Sequence, residues 1–100
     1  MITLHIENTI GDYATWKAAF DRYDRARRDH NVLGYRITRP ATDSTKVFID
    51  LDFAAGTDAA AFIQLLEKIW QTPRSHAASA EHAVPEVREV LEERRTGGGQ

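Results

Sequence analysis

Apolar and polar residues alternate from the second position of the chain. In ITLHIE, Ile2, Leu4 and Ile6 fall on one side and Thr3, His5 and Glu7 on the other. That is the period of a strand with one buried face. NTIGD interrupts the pattern, and Asp12 is suited to cap a helix because its carboxylate can accept first-turn N–H groups. From Tyr13 the period becomes helical. Tyr13, Trp16, Phe20 and Tyr23 recur at steps of three, four and three and so share one face, with Lys17, Asp21, Arg25 and Arg28 opposite. One helix running to Arg28 is predicted, closed by His30 and Asn31, the asparagine tolerating a left-handed backbone. Arg22, Arg25, Arg27 and Arg28 read as a solvated face; the lesser reading, a binding site for an anionic partner, is diluted by Asp21, Asp24 and Asp29.

VLGYRITRP reads as a second strand that stops at Pro40. KVFIDLDF is the clearest strand, with Val47, Ile49, Leu51 and Phe53 alternating against Phe48, Asp50 and Asp52. Thr57 is the expected cap of a second helix whose stripe is Phe62, Leu65, Leu66 and Ile69, with Trp70 at its edge. A short helix is expected around residues 74–80. EVREVLEERR suits either a helix or a strand by period. A strand is preferred because it would cover an otherwise open sheet edge beside the first strand. The order is then β-α-β-β-α-β, an α+β fold. Its four-stranded antiparallel sheet carries both helices on one face, and the third strand lies between the first and second.

Taken together, DYATWKAAFD, HNVLGYRITRP, KVFIDLDF and IWQTPRSHAASA resemble a bacterial family of small proteins. Through it they are similar to the dimeric α/β-barrel superfamily, which includes antibiotic-biosynthesis monooxygenases and small polyketide cyclases. The resemblance covers roughly residues 2–94 and rests on element order and a few phrases. It implies a ferredoxin-like protomer whose sheet meets a second copy to form a barrel. It carries over no catalytic set, and the superfamily hosts several unrelated activities, so function has to be read from the site.

Composition narrows the partners. The chain has 100 residues, a formal net charge of −2 and no cysteine. One domain over residues 1–95 is expected, followed by a flexible tail at 96–100. The charge gives no electrostatic case for nucleic acid or an anionic membrane. The absence of cysteine excludes disulfides, zinc-thiolate sites and thiol nucleophiles. No apolar run is long enough to span a bilayer, and the N-terminal residues lack the pattern of a signal peptide, so a cytoplasmic location is expected. No phosphate loop, glycine fingerprint or Ser-His-Asp order occurs, and no cofactor is expected.

Two candidate sites remain. The polar sheet face presents His5, Glu7, Arg36, Phe48, Asp50 and Asp52, and His5, Asp50 or Asp52, and Arg36 can form a row of alternating charge across it. The row can be a polar seam in a homodimer interface, a catalytic His5–Asp50 pair, or, as the least favoured reading, a metal site at His5, Glu7 and Asp50. On the helix side, Tyr13, Trp16, Phe20, Tyr23, Tyr35 and Trp70 either fill the core or ring a gap for a small apolar or aromatic ligand. In an oxygenase or cyclase acting on an aromatic, polyketide-like molecule, Tyr35, Arg36 or Trp70 would donate to a developing oxyanion. His5 or His76 would serve as base. The catalytic candidates are therefore His5, Arg36 and His76. A homodimer that binds a small ligand without catalysis, or that is purely structural, is the alternative.

Overall fold

The computed structural model describes residues 1–71, 79–82 and 84–94. Its elements are β1 (Ile2–Ile10), α1 (Tyr13–Asp21), α2 (Asp24–Asp29), β2 (Gly34–Thr38), β3 (Lys46–Phe53), α3 (Gly56–Trp70), β4 (Ser79–His82) and β5 (Glu86–Glu89). The sheet runs β2-β3-β1, and β4 and β5 lie one after the other along the free side of β1. All of the pairings are antiparallel. The sheet is thus four positions wide in the ferredoxin-like order. Its fourth position is shared by two short strands separated by Pro85, which has no N–H to give a ladder.

Leu4, Ile6, Ile10, Val47, Ile49, Leu51 and Phe53 bury the helix-facing side of the sheet. Trp16 from α1 and Ala59 and Phe62 from α3 complete this core. Asp12 caps α1 as expected: its Oδ2 accepts the Thr15 backbone N–H at 2.8 Å and the Thr15 hydroxyl at 2.7 Å. Asn31 closes α2 with φ of 64°, the left-handed conformation expected of it. The last element is a strand, and Leu4 pairs with Val87 in β5.

Several expectations are corrected. Strand β1 does not end at Glu7. Asn8 and Ile10 stay in phase with the buried residues, and β1 continues to Ile10 opposite Lys46 and its neighbours. The first helix is two helices. At the break, the Phe20 carbonyl accepts the Tyr23 backbone N–H at 3.2 Å and Arg27 Nη1 at 2.8 Å. Arg27 is not solvated: it is 4% exposed, because it continues the aromatic stripe four residues past Tyr23. Helix α3 starts at Gly56, and its cap residue is Ala55, in extended conformation with no side-chain hydrogen bond, so Thr57 lies inside the first turn. Leu33, read as part of the second strand, precedes β2 and is exposed; β2 spans only Gly34–Thr38. Of the helix expected at 74–80, Ser79 and Ala80 are in strand β4 and the remainder lies outside the described residues. His82 also belongs to β4.

Candidate functional site

The outer face of the sheet carries the side chains that point away from the helices. Register places Arg36 beside Asp50, Asp50 beside His5, and His5 beside Glu86, one row across β2, β3, β1 and β5. His5 is held at both ring nitrogens. Nδ1 lies 2.6 Å from Asp50 Oδ1 and Nε2 lies 3.0 Å from Glu7 Oε2. Carboxylates only accept, so the geometry suits an imidazolium that donates twice. Burial alone would lower the His5 pKa; the hydrogen bonds to Asp50 and Glu7 outweigh it, and the net direction is upward. Arg88 on β5 opposes the shift and is itself bonded to Glu86. The Phe48 ring lies 5.7 Å from the imidazole. In the next row, Thr3 donates to Asp52 Oδ1 at 2.7 Å. A histidine so engaged is a poor base, since its proton is the form that both neighbours favour. The row is well suited to face a second charged surface.

The helix-facing side carries a line of rings. Tyr13 and Trp16 have centroids 5.9 Å apart, Trp16 and Phe20 are stacked at 5.1 Å, and Phe20 meets Tyr35 edge-on at 5.1 Å. The line therefore joins α1 to the edge strand β2. Trp16 is 5% exposed, whereas Tyr13 and Tyr35 at the two ends are 37% and 44% exposed. Arg39 lies over the Tyr13 ring at 5.5 Å, and Arg27 lies over the Phe20 ring at 3.7 Å. Such contacts are favourable for both partners because the ring face is electron-rich.

The sequence-derived candidates divide between the two faces. Tyr13, Trp16, Phe20 and Tyr35 come together. Tyr23 is half-buried at the helix break, and Trp70 is half-buried against the core at the end of α3. His5 and Arg36 sit on the outer face, across the sheet from the rings. His76 lies outside the described residues. Two polar residues on the helix side were not among the candidates. Asn8 is 5% exposed in β1, and its signal is a polar residue in the phase of Leu4 and Ile6. Arg27 is the other, and its signal is the spacing from Trp16, Phe20 and Tyr23. Among the described residues, no group of three or more His, Cys, Asp or Glu side chains is arranged to hold a metal ion. None of the described helices is long and apolar enough to cross a membrane.

No protein-family model matches the chain, and no curated protein matches it by sequence. Solved structures do match over nearly the whole fold. A variant of MhuD, the haem degrader of Mycobacterium tuberculosis, crystallised with two manganese protoporphyrin IX per active site, aligns with a TM-score of 0.72 at 12% identity. The alignment covers 95% of this chain and 99% of that one. A dimeric ferredoxin-like protein from an uncultured marine organism gives 0.63 at 10% identity, covering 93% and 97%. A proposed antibiotic biosynthesis monooxygenase from Nitrosomonas europaea gives 0.60 at 16% identity, covering 92% and 100%. At these identities the likeness is one of fold alone, and that fold is ferredoxin-like.

Proposed function

We propose that the chain is a homodimer joined through the outer sheet face, and that each protomer binds a flat aromatic or polyketide-like molecule against its line of rings. The finer reading is a cofactor-independent monooxygenase or cyclase. The observation that carries the proposal is the ring line itself, buried at Trp16 and ending in half-exposed tyrosines at both ends. A core needs buried aromatics; it does not need two tyrosines at its rim, each combining an apolar body with a hydroxyl. The His5 row supports the dimer, because a desolvated charge must be paired and these groups already pair one another.

As a monooxygenase, the site would convert an activated methylene and O2 into a carbonyl and water. The substrate supplies all of the electrons. The protein's part is to hold the ring system flat, keep water out and steady the developing oxyanion from Tyr35 or a neighbouring cation. Flat ring systems are also what the MhuD structures hold. His5 and His30 make their ring contacts with Phe48 and Phe62, not with Trp16 or Phe20. A haem would thus meet a suitable flat surface but neither of these two histidines beside it. The second reading is a binding protein without catalysis, which asks only that the rings hold the ligand.

The test is binding of an anthrone, followed by quenching of tryptophan fluorescence, with oxygen uptake recorded in parallel. Saturable quenching with oxygen uptake supports the monooxygenase. Quenching without uptake leaves the binding protein, and no quenching removes both. Sedimentation should give twice the mass of the chain, and Asp50→Lys, which places a cation between His5 and Arg36, should return it to one.

A further inference from the structure

Arg27 is a buried cation with two idle donors. Its side chain is 5% exposed, and one nitrogen, Nη1, is used on the Phe20 carbonyl. Nε and Nη2 are buried and have no hydrogen-bond partner. The nearest carboxylate, that of Asp24, stands 3.8 Å from Nη2, beyond hydrogen-bond reach. The guanidinium lies 3.7 Å from the centre of the Phe20 ring and 5.3 Å from that of Tyr35. Burying a charge without full pairing is costly, and an apolar side chain of similar size would be cheaper at this position. An arginine does not escape that cost by losing its proton. Nε and Nη2 lie on one edge of the guanidinium, the edge that takes a carboxylate with two parallel hydrogen bonds.

We propose that Arg27 anchors the ligand of the ring site, and that the ligand is a flat aromatic carboxylate. This rests on the ring line being a binding site, and it adds the charge and the polar group of what binds there. The carboxylate would satisfy both idle donors while its rings lie alongside Phe20 and Tyr35. Entry is past Tyr35, which stands on the edge strand and is 44% exposed, so its ring can swing outward without disturbing the core.

The experiment compares 2-naphthoate with its neutral isostere 2-naphthamide by titration calorimetry at neutral pH. Wild-type protein should bind the acid about tenfold or more tightly than the amide, the worth of a charged, bidentate contact. Arg27→Met should still bind the amide and lose the preference for the acid. Arg27→Lys, which keeps the charge but not the fork, should retain only part of it, and it decides the matter if the methionine variant does not fold. Equal binding of acid and amide by wild-type protein would overturn the anchor and leave the ring site standing. Full preference in a folded variant would overturn it as well. If the wild type binds neither compound, the ring site and the anchor fall together.

Discussion

Trp16 belongs at once to the core and to the ring line, and its environment decides what its loss would do. It is 5% exposed, stacked on Phe20 and packed among the residues of β1 and β3. Trp16→Ala should therefore cost about 3–5 kcal/mol, on the order of 12–40 °C in melting temperature for a chain of this size. Thermal unfolding followed by circular dichroism checks it. An unchanged melting point with lost ligand binding would mean that the ring lines a preformed gap. At this scale the sequence was readable where a residue type has one dominant use. Asp12 as a cap and Asn31 as a left-handed residue follow from local chemistry. Arg27 was misread because charge normally argues for solvent, while its spacing from Trp16 and Phe20 argued for the interior. Burial depends on what the rest of the fold brings over a position, and for Arg27 that is Tyr35 from β2.

At the scale of elements, α2 is short and owes its end to one backbone conformation. Asn31 has φ of 64°, and its side chain donates to Asp58 in the first turn of α3 at 3.2 Å. Asn31→Val should cost about 1–2 kcal/mol, because a β-branched residue resists the left-handed region. Asn31→Gly should stay within about 0.5 kcal/mol, since only an exposed hydrogen bond is lost. Urea unfolding of the two variants separates backbone strain from loss of the side chain: equal losses would place the effect in the Asp58 contact. Alternation made β3 and the start of β1 plain. The end of β1 was obscured by Asn8, a polar residue in an apolar phase. The break between α1 and α2 has no glycine or proline to announce it; its hydrogen bonds involve Arg27, a side chain whose position is settled by tertiary structure. Thr57 lost the capping role because α3 begins before it, at Gly56.

For the whole molecule, the outer face sets the response to pH. The pKa of His5 is raised in the folded state, with Asp50 and Glu7 as the groups that raise it, Arg88 opposing, and Arg36 and Glu86 flanking the row. A histidine whose folded pKa lies above its unfolded one contributes stability in full below the unfolded value. That contribution is lost as pH rises through the folded value. The protein should therefore lose stability from slightly acid to slightly alkaline pH, and His5→Gln should flatten that slope. Melting temperatures across this range, with the His5 ring titrated by NMR in wild type and Asp50→Asn, check both points. A His5 pKa that does not fall in Asp50→Asn would remove Asp50 as the cause.

The strand nearest the N-terminus is the one on which the rest of the sheet depends. β1 pairs with β3 along almost its full length on one side, and with β4 and β5 in succession on the other. It is made before the other strands of the sheet, yet its second flank is supplied by the two that follow them all, β4 and β5. Until those two emerge, one row of β1 backbone groups has no neighbour, and ordering it requires closing nearly the whole chain into a loop. The nascent sheet thus carries an open strand edge until β4 and β5 follow, the period in which it most needs shielding from other unfinished chains.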